Sequence, residues 1–161
     1  MRHVLSVLVE NKPGVLARIA SLFSRRGFNI DSLTVGTTEN PEYSRMTIVS
    51  TSNDVVIEQI NKQLNKLIDV IKLVDFTSSK TKYVDREMIL LKINVTPHTR
   101  SEIIELADIF RSRIVDVGEK SVVIEATGAD GKIDAIIQMF RKYGIIELTR
   151  TGKVAMQRST I

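Results

Sequence analysis

The sequence predicts an α+β chain built as two tandem βαββαβ units, and two observations carry that prediction. Short β-branched apolar runs alternate with helical stripes in the order strand, helix, strand, strand, helix, strand. The same order occurs twice, on either side of a polar stretch near the middle of the chain. The size fits, since 161 residues make one ordinary domain or two small ones. A hydrophobic content of 43% against 26% charged residues is that of a folded protein. With no Trp, the core must rest on Ile, Val and Leu.

In the first unit, Val4–Val9 is apolar on both faces and reads as a central strand covered on both sides. Val15, Leu16, Ile19, Ala20 and Phe23 then recur at helical spacing to about Arg26, with Arg18, Ser21, Ser24 and Arg25 on the other face. Gly27 stands where a helix takes a left-handed C′ residue. Phe28-Asn29-Ile30 opens a second strand that continues through Leu33 and Val35. The Asn-Pro content of Glu39–Glu42 marks a hairpin loop, and Tyr43–Ser50 is the third strand. Ser52-Asn53-Asp54 offers an N-cap for a helix carrying Val56, Ile60, Leu64 and Leu67, and Val70–Val74 is the fourth strand. This is the split βαβ, or ferredoxin-like, unit.

Thr77–Lys82 is polar and lacks apolar periodicity, as a linker does. Beyond it the order repeats. Met88–Val95 is a strand, and Thr96–Ser101 leads into a helix with Ile103, Ile104, Ala107 and Phe110. Ile114–Val117 and Ser121–Ala126 form a hairpin. Ala129-Asp130-Gly131 opens a helix with Ile133, Ile136, Ile137 and Phe140, which Gly144 ends before a strand from Ile145 to Arg150. The expected division is a first domain over 1–77, a linker over 78–84 and a second domain over 85–161.

Several function classes are disfavoured. Without cysteine there is no disulfide, thiolate nucleophile or Cys-ligated metal. The formal charge of +4 is spread along the chain without interleaved aromatics, which argues against nucleic acid. No apolar run is long enough to span a bilayer, and the N-terminus does not open a signal peptide, so a soluble, cytoplasmic protein is expected. The two histidines, His3 and His98, lie at the N-terminus and in a loop, with no Gly-x-Ser-x-Gly nearby. Gly128–Lys132 lacks Walker spacing and the following Ser or Thr. No catalytic residue and no metal site is expected.

Binding is better provided for. Glu10-Asn11-Lys12-Pro13-Gly14-Val15-Leu16 joins the first strand to the first helix. Pro13 presets φ for a helix start, and Gly14 leaves room for close approach. The free N–H groups of Gly14 and Val15 then carry partial positive charge suited to a carboxylate or phosphate. Asn11 and Asn29 each supply an amide donor and an acceptor, which a free amino acid matches with its ammonium and carboxylate. Ile30, Leu33 and Val35, or neighbours of Val15, would wall its side chain. Two plainer readings stand beside this one: Asn11 as a helix cap, and Asn29 as a turn residue after Gly27. The matching loop of the second half, around Pro97-His98, has no glycine.

The run from Leu5 to Ile19, then Phe23 to Leu33, resembles an ACT domain, and more narrowly the small regulatory subunit of acetolactate (acetohydroxyacid) synthase. Arg45–Val49, Val74-Asp75, Arg86–Met88, Gly144–Glu147 and Arg150–Gly152 extend the resemblance over essentially the whole chain. It implies a non-catalytic partner that activates a thiamine-diphosphate-dependent catalytic large subunit and transmits feedback inhibition, typically by valine. Thiamine diphosphate, magnesium and flavin (FAD) would belong to that subunit, with no cofactor on this chain. The resemblance puts the effector between ACT domains of a homodimer. It would touch Asn11, Pro13, Gly14, Val15 and Leu16 in the loop and Asn29 and Ile30 at the strand start, with Val35 in the wall. Two-fold pairing would set Gly14 of one chain near Asn29 of the other. The second half is expected to support the dimer and contact the large subunit.

Overall fold

A computed structural model describes residues 1–160. Its elements are β1 (Arg2–Glu10), α1 (Val15–Arg25), β2 (Ser32–Thr37), β3 (Tyr43–Thr51), α2 (Asp54–Asn65) and β4 (Val70–Asp75). These are followed by β5 (Tyr83–Asn94), α3 (Arg100–Ile109), β6 (Arg113–Val117), β7 (Ser121–Gly128), α4 (Asp130–Phe140), a 3₁₀ turn (Arg141–Tyr143), β8 (Ile145–Arg150) and β9 (Val154–Gln157). The strands order as β2-β3-β1-β4 and as β6-β7-β5-β8, with neighbours antiparallel. Both orders are those of the expected ferredoxin-like unit. The likeness extends to irregularities: β4 and β8 each carry a register shift against the central strand, leaving Ile71 and Ile146 as the extra residues.

The chain divides into one unit of Met1–Val84 with the segment from Lys153 onward, and a second of Asp85–Gly152. This differs from the division read from the sequence, which gave 153–161 to the second domain. The reason lies in the first unit's outer sheet face. Ser32 Oγ accepts from Lys153 N–H at 3.2 Å, and Thr34 Oγ1 donates to the Lys153 carbonyl at 2.7 Å. Thr47 Oγ1 accepts from Ala155 N–H at 3.4 Å. Ala155 thereby joins Val4, Val49 and Phe76 in a buried cluster, with Tyr83 stacked on Phe76 at 4.9 Å between ring centroids. Val154–Gln157 is too short for periodicity to mark it; the hydroxyls of Ser32, Thr34 and Thr47 bond Lys153 and Ala155, which makes this segment a strap across the sheet. The expected linker residues also belong to this unit.

The other face of that sheet carries the main core. Leu5, Val7, Val9, Met46 and Ile48 meet Val15, Ile19, Leu22 and Phe23 of α1 and Ile57, Ile60 and Leu64 of α2. Burial of each such side chain contributes about 1.5–3 kcal/mol. Leu16 and Ala20, expected on this face, are exposed instead, and Leu22 and Ile57 take inward places not foreseen. The end of α1 is a Schellman closure: Phe28 N–H donates to the Phe23 carbonyl at 2.9 Å and Gly27 N–H to Ser24 at 3.1 Å. Gly27 is left-handed (φ 67°), and the Phe23 and Phe28 rings meet edge to face at 6.3 Å. This closure consumes Phe28, so β2 begins at Ser32 and not at the expected Phe28. Asn53 caps α2 as predicted, accepting from Val56 N–H at 2.9 Å.

The second unit packs Ile89, Leu91, Ile93, Ile124 and Ala126 against Ile103 and Ala107 of α3 and Ile133, Ile136, Ile137 and Phe140 of α4.

Candidate functional site

The loop between β1 and α1 is set by backbone chemistry. Glu10 N–H donates to the Asp69 carbonyl at 2.9 Å and Asn11 N–H to Glu42 at 2.8 Å, so the strand end is tied to both neighbours. Gly14 is the N-cap residue at φ 86°, ψ −9°, a left-handed conformation that favours glycine, and it offers no side-chain cap. Val15 N–H turns back to the Lys12 carbonyl at 3.3 Å. The N–H groups of Gly14, Leu16 and Ala17 donate to no acceptor among the described residues. Of the two donors expected from sequence, Gly14 therefore stands free and Val15 is engaged.

Above this turn lies a residue that sequence reasoning had placed on the solvent face. Arg18 Nε donates to Asp69 Oδ2 at 2.6 Å, with Asp69 itself buried. That hydrogen bond, with the attraction of the carboxylate, holds the guanidinium charged and raises its pKa. Its Nη1 would lie 3.1 Å from a Cβ on Gly14, so the positively charged fork overhangs the glycine. Gly14, Ala17, Arg18, Ser21 and Arg25 line a shallow groove of about 430 Å³. Spacing alone foretells part of this, since positions 14 and 18 share a helix face. Asp69, 51 residues further on, is brought there only by the fold.

The remaining expected residues divide into two groups. Asn11 is exposed and does not cap α1; its Nδ2 donates to the Pro41 carbonyl at 2.9 Å, leaving Oδ1 available. Pro13 is exposed, and Leu16 (43% accessible) and Val35 (48%) present apolar surface. Val15 is buried in the core, so its side chain cannot wall a ligand. Ile30 and Leu33 are half-buried against the same core. Asn29 and Ile30 lie at the opposite end of the sheet: Ser50 Oγ donates to the Asn29 carbonyl, and Ser50 pairs with His3. At about 3.3 Å per residue, roughly 25 Å separates that level from Asn11. The chain thus gathers Asn11–Leu16, and holds Asn29 and Ile30 apart from them. Asn29 Nδ2 is bonded to Asp31 Oδ1 at 2.5 Å.

The matching loop of the second unit has a different character. Thr96 N–H donates to Thr99 Oγ1 at 3.0 Å and Thr99 N–H to Thr96 Oγ1 at 3.2 Å, so hydroxyls of the chain close it. No cluster of His, Cys, Asp or Glu able to hold a metal occurs among the described residues. No helix among them is long and apolar enough to cross a membrane.

Two ferredoxin-like units in tandem, the first with a glycine-started, arginine-covered helix, place the chain in the class of ACT-domain proteins. Residues 5–72 match the family described as AHAS small subunit-like ACT domain, and residues 86–159 match the small subunit of acetolactate synthase. The chain is 58% identical over 158 residues to the probable acetolactate synthase small subunit of Archaeoglobus fulgidus, covering 98% of each. It is 52% identical to the acetolactate synthase small subunit of Mycolicibacterium smegmatis, over 97% of this chain and 91% of that one. The crystal structure of the Thermotoga maritima small subunit superposes with a TM-score of 0.90 at 42% identity, covering 100% and 99% of the two chains. The chain belongs to the acetolactate synthase small-subunit family.

Proposed function

We propose that this chain activates a thiamine-diphosphate-dependent acetolactate synthase catalytic subunit in the cytoplasm, and confers feedback inhibition by valine or another branched-chain amino acid. It performs no chemistry and carries no cofactor; thiamine diphosphate, magnesium and FAD belong to the catalytic partner. The observation that supports this reading is the uncapped, left-handed start of α1 with the Arg18 guanidinium above it. An effector carboxylate takes the free N–H groups at Gly14 and Leu16 and the positive field of Arg18. The Asn11 Oδ1 accepts from the ammonium, and Leu16 and Val35 receive the branched side chain.

The site is completed by a second copy. β2 is an edge strand of its sheet, and pairing it with its two-fold mate runs the two sheets into one. Antiparallel pairing brings the far end of the partner's sheet, with its own counterparts of Asn29 and Ile30, beside Gly14. That answers the 25 Å separation within one chain. An affinity difference worth about 1–3 kcal/mol between two arrangements of the dimer suffices for feedback control. The second unit supports the dimer and contacts the catalytic subunit.

Calorimetric titration with valine, leucine and isoleucine, followed by reconstitution with the catalytic subunit, tests the reading. Saturable binding of one of them, and acetolactate formation that rises on mixing and falls with that amino acid, are expected. Absence of binding at millimolar concentration, together with unaltered activity on mixing, would overturn it.

A further inference from the structure

A second groove, of about 530 Å³, lies at the other end of α1 from Gly14, where α1 passes α2. Its floor is apolar: Leu22, Phe28 and Leu67. Its rim is basic, with Arg25 and Arg26 from α1 and Lys66 from the end of α2. None of the three forms an ion pair among the described residues; the Arg25 guanidinium reaches only the Ser21 carbonyl, at 3.4 Å. Elsewhere in the same unit Arg18, Lys12 and Lys62 each hold a carboxylate.

Cations near helix C-termini have an ordinary explanation, as partners of the last carbonyls. Here the backbone already serves those carbonyls. Phe28 and Gly27 N–H groups close α1, and Lys66 and Leu67 N–H groups close α2 through Gln63 and Leu64. All three charges line one groove, and none of the residues lining it is acidic. Gln59 and Gln63, one helical turn apart, line the same groove and supply amide donors and acceptors to a main chain. The residue after Leu67, Ile68, is 93% accessible, an aliphatic side chain held almost wholly in water.

We infer that this groove receives an acidic polypeptide segment with an apolar anchor, supplied by the catalytic subunit. The inference rests on the functional reading above for its partner, and adds a contact surface on the first unit. A small inorganic anion would use the rim and leave the apolar floor and the glutamines without purpose. Carboxylates against the rim, an apolar side chain on the floor and a main chain along α2 use all of them.

The test uses the full chain and the catalytic subunit. Arg25→Glu/Arg26→Glu/Lys66→Glu is compared with wild type and with Lys62→Glu, an exposed cation of α2 outside the groove. The triple variant is expected to associate at least about tenfold more weakly at low ionic strength, with the gap closing at high salt. Lys62→Glu matches wild type, and circular dichroism of the free variants stays unchanged. A triple variant that associates and activates like wild type overturns the groove while leaving the regulatory function intact. A wild-type chain that fails to associate overturns both. Stoichiometric binding of inorganic tripolyphosphate that the triple variant loses, with association intact, would make this a phosphate site and also refute the inference.

Discussion

Replacing Gly14 separates the backbone geometry of the effector loop from its electrostatics. At φ 86° the residue occupies a conformation that costs a side chain with a Cβ about 1–2 kcal/mol. The added Cβ would come within 3.1 Å of Arg18 Nη1, the movable end of a half-exposed side chain, so space yields and the backbone strain stays. Each kcal/mol lowers the melting temperature of a domain this size by about 4–8 °C. Gly14→Ala should show that loss and little else, with valine affinity within about tenfold of wild type. Gly14→Asp adds a carboxylate that takes the Arg18 charge and the free N–H groups for itself and repels the carboxylate of the effector. Losing a charge-assisted hydrogen bond costs about 1.5–3 kcal/mol, or roughly 10–150-fold in Kd. The assay is acetolactate formation by the reconstituted enzyme against valine concentration, paired with calorimetry on the free chain. A folded Gly14→Asp chain that keeps wild-type valine sensitivity would refute the site. Equal losses in the Ala and Asp variants would refute the charge argument and leave strain as the cause.

Three further outcomes follow from the same geometry. Asp69→Asn releases Arg18 from its buried partner, so valine affinity should fall and depend less steeply on ionic strength; unchanged affinity would deny Asp69 any part in positioning the guanidinium. Burial alone would raise the Asp75 carboxyl, but the N–H and hydroxyl of Ser78, the Asn61 amide and nearby His3 outweigh it and hold its pKa below the usual range. A lowered folded pKa contributes stability that is full above the unfolded value, about 3.9, and is lost as pH falls through the folded value. The stability advantage of wild type over Asp75→Asn should therefore shrink below about pH 4 in denaturant melts, and a gap constant down to about pH 2 would exclude titration as its source. Ending the chain after Gly152 strips Ala155 from Val4, Val49 and Phe76 and leaves three sheet hydroxyls unpartnered. The melting temperature of the first unit should drop while the core of the second holds, as hydrogen exchange resolved by unit would show. Equal protection in both units would deny the strap a structural role.

The sequence by itself determined what is local and periodic. Alternating strands, helical stripes, the left-handed Gly27 and the Asn53 cap follow from side-chain size, φ preference and short-range hydrogen bonding; Gly27 and Asn53 stand where their letters point, while β2 starts late at Ser32 and Leu16 and Ala20 turn outward. The loop from Asn11 to Leu16 was legible for the same reason, because Pro-Gly ahead of an apolar stripe constrains a few consecutive residues. The tertiary structure alone decided the contacts that join distant letters. Asp69 lifts Arg18 over Gly14, and the Schellman turn withholds Phe28 from β2. Residues after Gly152 bond to Ser32, Thr34 and Thr47, and Asn29 is held at the end of the sheet remote from Asn11. Periodicity records which face of its own element a residue takes. Which foreign residue it meets there depends on strand order and register, and these are settled only when the whole apolar core closes at once.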